Sequence, residues 1–98
     1  LIVSLLFVSC EKKEEIITFT FLQLNDVYEI AALEGGEVGG MDRVETLHQQ
    51  LLAEDKNTFI FMAGDFLNPS LLGNIKYQGE RIKGKQMIEV MNAMNFDL

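Results

Sequence analysis

The chain has 98 residues, of which 48% are hydrophobic, and a single proline. This is the composition of a folded globular chain and excludes extensive disorder. The net charge is −7 at pH 7, and the sequence lacks the clustered lysine and arginine residues that hold a nucleic acid backbone, so we expect no nucleic-acid binding. A phosphate substrate held by metal ions remains open, because a bound cation reverses the local charge.

Residues 1–10, LIVSLLFVSC, form an apolar segment that ends at the only cysteine, Cys10. Its first eight residues would span about 12 Å as a helix, whereas bilayer hydrocarbon is about 30 Å thick. We interpret the segment as the apolar part of a secretory signal peptide. Phe7-Val8-Ser9-Cys10 resembles a bacterial lipobox, which implies that Cys10 is lipidated and anchors the protein in the cell envelope. The alternative is a first strand or helix with a buried free cysteine.

Residues 11–15, EKKEE, then predict a charged, solvated tether. Residues 16–24 are mostly β-branched, aromatic or aliphatic and predict a largely buried strand. A glycine-containing loop follows over residues 25–40, and a helix is predicted from residue 40 or 41 to residue 54. Residues 58–63 are almost entirely apolar, which predicts a second strand that is covered on both faces.

A loop over residues 66–83 and a second helix over residues 84–95 complete the predicted elements. The apolar face of this helix is expected to contain Met87, Ile88, Met91 and Met94. Strand, helix and strand in about 50 residues indicate a βαβ unit with parallel strands and a right-handed connection. The only histidine, His48, is expected at the surface of the first helix.

Two aspartates follow the predicted strands: Asp26 comes after the first and Asp65 after the second. In open α/β sheets, ligands bind beyond the carboxyl ends of the parallel strands, so both carboxylates are expected at one edge. Two such acids held close together need a proton or a cation between them, and hard divalent cations prefer oxygen ligands. The alternative is that each aspartate caps its own turn through the downstream backbone.

Four segments together resemble a known family: FTFLQLNDVY, the glycines before MDRVETL, FIFMAGDFLNPSLLG and GKQMIEVMNAMNFD. They resemble the N-terminal part of the calcineurin-like metallophosphoesterases, most closely the secreted 5′-nucleotidase and cyclic-nucleotide phosphodiesterase branch. The resemblance covers residues 16–98. It implies an α/β fold, namely the N-terminal βαβ portion of a four-layer α/β/β/α domain that is incomplete in this chain.

The resemblance also implies roles for individual residues. Asp26 matches an aspartate that ligates the first of two metal ions, and Asp65 matches the aspartate that bridges both; zinc, manganese, iron and calcium are not distinguished. Tyr28 stands where the family usually has histidine. It either ligates a ferric ion as a phenolate, or it merely packs beside the loop or orients a bound water molecule. Asn68 either contacts a substrate phosphate at the rim of the site or serves the turn before Pro69.

The expected function is hydrolysis of nucleotides or other phosphate esters by a full-length protein anchored in the bacterial envelope through its lipid. The catalytic histidine of the family is expected beyond residue 98, so this fragment alone is expected to be inactive. The alternative is a non-catalytic surface lipoprotein that uses the same scaffold to bind a ligand or partner.

Overall fold

A pair of parallel strands forms the centre of the computed structural model, which describes residues 12–98. Strand β1 covers Thr20–Leu24, helix α1 covers Met41–Glu54, and strand β2 covers Thr58–Met62. The two strands pair in parallel with Thr20 opposite Thr58 and Leu24 opposite Met62. The predicted α/β class and the parallel strand–helix–strand order are therefore confirmed. The predicted signal segment, Cys10 and the first tether residue, Glu11, lie outside the described residues.

The remaining elements follow β2 in sequence. A 3₁₀ turn covers Leu72–Asn74, an antiparallel hairpin joins β3 (Lys76–Tyr77) to β4 (Glu80–Arg81), and helix α2 covers Lys85–Ala93. Another 3₁₀ turn, Glu34–Gly36, lies in the loop before α1. The segment predicted as a continuous loop over residues 66–83 thus contains a short hairpin. Within residues 12–98, neither helix has the length and apolar character needed to span a bilayer.

The predicted first strand is wrong in its N-terminal half. Residues 16–19 lie outside β1, and the side chain of Ile16 is 82% exposed. The reason is the position of the partner strand, since the Thr20 amide donates to the carbonyl of Asn57, directly before β2 begins. Residues N-terminal to Thr20 therefore have no β2 residue opposite them with which to continue the parallel ladder.

Both helices contribute side chains to one core on one face of the sheet. Ile60 of β2 is fully buried there, together with Met41 of α1 and with Met87 and Met94 of α2. Leu22 on β1 packs against the same cluster. The predicted face of α2 is correct for its methionines but wrong for Ile88, which is exposed, while Val90 packs against the core instead.

The opposite face of the sheet carries a row of aromatic rings. Phe21 stacks on Phe59 and Phe61 with ring centroids 5.8 and 5.7 Å apart, and Phe19 stacks on Phe59 at 6.4 Å. Phe21 is 63% exposed, and Phe19 is also exposed. The expectation that β2 is covered on both faces is therefore wrong within residues 12–98, because both helices pack on the Ile60 face.

The position predicted for His48 is also wrong, because its side chain is only 3% exposed. It lies seven residues after Met41, two helical turns along the same side of α1, so it belongs to the buried stripe. Its Nδ1 atom lies 3.5 Å from Oε2 of Glu45. The position of His48 on the buried side of α1 therefore determines its burial, although the imidazole is polar.

The outer edge of β2 pairs with the last two residues of the chain. The Asp97 amide donates to the Ile60 carbonyl over 3.0 Å, and the Met62 amide donates to the Leu98 carbonyl over 2.8 Å. The Asp97 carboxylate also accepts a hydrogen bond from the Ile60 amide at 2.8 Å. These contacts hold the segment after α2 beside β2, so α2 is fixed to the sheet at both its core face and its C-terminal extension.

Candidate functional site

The loops that follow β1 and β2 are joined by backbone hydrogen bonds beyond the ends of the strands. The Ala63 amide donates to the Leu24 carbonyl at 2.8 Å, and the Asp26 amide donates to the Gly64 carbonyl at 3.3 Å. Asp65 is the next residue after Gly64. The structure therefore brings Asp26 and Asp65 to the same edge of the sheet, as the parallel arrangement predicts.

Both aspartates have backbone angles in the left-handed region, with φ of 56° at Asp26 and 35° at Asp65. Non-glycine residues rarely adopt this conformation, although aspartate tolerates it better than most. The left-handed angle turns the chain sharply at the end of each strand. Each carboxylate is thereby carried by the first turn after its strand and stays exposed at the surface.

The carboxylate of Asp26 accepts hydrogen bonds on both of its oxygens. The Tyr28 hydroxyl donates to Oδ1 at 2.7 Å, and the side-chain amide of Asn25 donates to Oδ2. These partners are side chains of the same loop and not the downstream backbone that the turn-capping alternative requires. For Asp26, that alternative is not what the structure shows.

The acidic surroundings of Tyr28 favour its protonated phenol over the phenolate. The hydrogen bond to Asp26, together with desolvation and the negative charges of Asp26 and Asp65, raises the pKa of Tyr28 to about 12. At neutral pH the phenol is a hydrogen-bond donor, since each carboxylate disfavours the phenolate.

The glycine loop before α1 lies beside Asp26. Asp26, Tyr28, Gly39 and Gly40 line a common surface depression. Gly40 has φ of 97°, and a Cβ there would lie 3.2 Å from the Cβ of Ala32 and still closer to Oδ1 of Asp42. A side chain at position 40 would therefore press on the loop that closes this depression.

Arg43 stabilises the glycine loop from the first turn of α1. Its guanidinium donates to the carbonyl of Gly39 at 2.8 Å and to the carbonyl of Gly36. Both acceptors are backbone carbonyls of the loop, and neither is a carboxylate. The positive charge of Arg43 is thus used to order the loop rather than to neutralise Asp26.

Asn68 lies on the exposed loop that follows Asp65. Asp65, Phe66, Leu67 and Asn68 line a second surface depression. This location is compatible with the predicted place of Asn68 at the rim, and its contact with a phosphate stays a prediction.

Two residues that were not singled out from the sequence connect the loops of this edge. Asn25 contacts Asp26, and its side-chain oxygen would lie 3.2 Å from a Cβ on Gly64. Glu29 accepts a hydrogen bond from the Leu71 amide at 3.2 Å, which ties the loop after β1 to the loop after β2. The signal available in the sequence was the polar pair Asn25-Asp26 directly after an apolar strand, which marks a turn but not its cross-loop contacts.

The donor chemistry of this edge fits a hard cation, although the set of donors is small. Asp26 and Asp65 offer carboxylate oxygens, which divalent cations such as magnesium, manganese and calcium prefer. Among residues 12–98, no group of three or more histidine, cysteine, aspartate and glutamate side chains is arranged to hold a metal ion. A cation bound by Asp26 and Asp65 would therefore need further ligands from water, substrate or residues beyond this range.

Comparison with known proteins finds no matching family model, no similar curated protein and no similar solved structure.

Proposed function

We propose that the chain is the N-terminal part of a lipid-anchored, envelope-facing metallophosphoesterase that hydrolyses nucleotides or related phosphate esters. The observation that carries the proposal is the placement of Asp26 and Asp65 on two adjoining loops, joined by the hydrogen bond from Asp26 to Gly64. Its second support is the resemblance of four ordered segments to the calcineurin-like metallophosphoesterases. Lipidation of Cys10, a residue outside the described range, places the protein at a bacterial membrane in this proposal.

In the proposed site, Asp26 and Asp65 hold two divalent cations whose positive charge, when bound, stabilises the charge that develops on the phosphoryl group. When cations are bound, Asp65 would contribute to holding both and Asp26 would contribute to holding one. Asn25 and Tyr28 donate hydrogen bonds to the two oxygens of Asp26. Asn68 lies at the rim, where its amide can meet a phosphate oxygen, and the remaining ligands come from the chain beyond residue 98.

The test is the Asp65→Asn variant of the full-length protein. We expect metal-dependent hydrolysis of a generic phosphate ester and of AMP to be lost, because the amide removes the negative charge that bridges the cations. Asp55→Asn is the matched control, since it makes the same chemical change before β2 instead of after it. Asp65→Asn with an unchanged rate would refute the assignment.

A second function is favoured by one observation, the presence of a neutral phenol, Tyr28, at the position where the family usually has histidine. In this alternative, the protein is a non-catalytic surface lipoprotein that uses the scaffold to bind a ligand or partner. A folded full-length protein with no bound metal and no turnover would support it. Two bound metals with turnover would instead support the enzyme.

A further inference from the structure

The Asp26 carboxylate is oriented by two donors from its own loop. The Tyr28 hydroxyl donates to Oδ1 at 2.7 Å, and the Asn25 amide donates to Oδ2. A carboxylate oxygen has two lone pairs, so each oxygen that accepts one hydrogen bond keeps a second site for a cation. The arrangement therefore restricts the rotation of the carboxylate without blocking its use as a ligand.

Tyr28 is well placed to act on Asp26 because the two residues share one short loop. Its side chain is only half-buried, while the Asp26 carboxylate that it contacts is exposed. An exposed carboxylate samples several rotamers unless it is held, and each rotamer other than the binding one weakens the affinity for a ligand. The hydroxyl supplies such a restraint with a hydrogen bond to a charged acceptor, which is among the stronger kinds.

We propose that Tyr28 is a positioning residue that holds Asp26 for cation binding through its hydroxyl and does not itself ligate the cation. The inference rests on the proposed function, because it requires a cation at Asp26. In metal sites, a ligand is commonly held by a hydrogen-bonding partner, and here the Tyr28 phenol would have that role. Loss of such a partner weakens metal affinity by about 10–100-fold.

The experiment is a calorimetric titration of the metal-free full-length protein with Mn²⁺. Tyr28→Phe removes only the hydroxyl, and Tyr77→Phe makes the same change on β3, where the side chain is exposed and distant in sequence from Asp26. We expect Tyr28→Phe to raise the dissociation constant for Mn²⁺ by about 10–100-fold. Tyr77→Phe should leave this constant unchanged. Thermal unfolding in the presence of EDTA should be the same for both variants, since a change there would indicate a purely structural role.

A double-mutant cycle with Asp26→Asn separates positioning from other effects. If Tyr28 acts through Asp26, then Tyr28→Phe has no further effect on Mn²⁺ affinity once Asp26 is replaced. A titration with Fe³⁺ tests direct ligation, because a phenolate bound to ferric iron absorbs visible light.

The results of the two metal titrations distinguish the positioning role of Tyr28 from the proposed metal site. Binding by the wild type with an unchanged affinity in Tyr28→Phe would overturn the positioning role alone, and so would a visible Fe³⁺ band that Tyr28→Phe abolishes. A folded wild-type protein that binds neither ion would overturn the proposed metal site and, with it, the inference.

Discussion

Replacing Gly84 with alanine tests how the loop after Asp65 is held against α2. Gly84 directly precedes α2 with φ of 84°, and a Cβ there would lie 2.6 Å from Leu67 Cδ2 and 3.0 Å from Leu67 Cα. Rotation of the leucine side chain can relieve the first contact, whereas only a backbone shift can relieve the second. The left-handed backbone costs about 1–2 kcal/mol for alanine, and overpacking adds about 1–3 kcal/mol. We expect the free energy of unfolding to fall by about 2–5 kcal/mol.

Gly79 provides a matched control for this substitution. It has φ of 87° in the turn between β3 and β4, and a Cβ there would meet no atom of residues 12–98 within 4 Å. Gly79→Ala therefore carries the backbone cost without the contact with Leu67. In urea unfolding followed by circular dichroism, Gly84→Ala should lose about 1–3 kcal/mol more than Gly79→Ala. Equal losses in the two variants would refute the reasoning that Leu67 packs against Gly84.

Two further predictions concern a buried residue of α1 and the turn between α1 and β2. His48→Ala should lower the free energy of unfolding by about 1–3 kcal/mol, whereas Gln49→Ala, at an exposed position, should change it by less than about 0.5 kcal/mol; equal small effects in chemical unfolding would show that His48 is not buried. The Asp55 carboxylate accepts hydrogen bonds from the Asn57 amide and the Thr18 hydroxyl, which lower the pKa of Asp55. The Asp55 carboxylate therefore contributes fully to stability at pH values above its ordinary pKa of 3.8. This contribution is lost as the pH falls through the lowered pKa of the folded state. Asp55→Asn should make the melting temperature less dependent on pH in this acid range, and an unchanged pH profile would contradict the assignment.

Helix α1 shows what periodicity predicts well. The glycines before it and the Asp55-Lys56-Asn57 turn after it mark its ends, and the observed bounds, Met41–Glu54, agree with the predicted ones. The placement of Asp26 and Asp65 at one edge was likewise predictable, because parallel strands end on the same side of a sheet. Both results depend on local pattern and on simple topology.

The start of β1 shows where such a pattern fails. The apolar character of Ile16 and Ile17 indicates a strand, but a strand also requires a partner, and β2 begins opposite Thr20. The register between β1 and β2 therefore decides where β1 starts, and this register is a tertiary property that the pattern of one segment does not contain. The covering of β2 was misjudged for the same reason, since an apolar run does not reveal on which face the helices pack.

The contacts of Tyr28 and the hairpin at residues 76–81 could not be read from the sequence for different reasons. The direction of the Tyr28 side chain depends on the left-handed angle at Asp26, which no residue pattern specifies uniquely. The hairpin strands are only two residues long and polar, so they lack alternation, and Gln78-Gly79 is a weaker turn signal than Asn-Gly or Asp-Gly.

The aromatic face of the sheet has a consequence for the life of the chain before folding is complete. Uncharged segments with strong β propensity are those from which cross-β aggregates grow, and β1 and β2 bring two such segments side by side with Phe19, Phe21, Phe59 and Phe61 on one surface. Exposed apolar surface of this kind is prone to associate with other incompletely folded chains. We therefore expect this face to favour aggregation whenever it is exposed during synthesis.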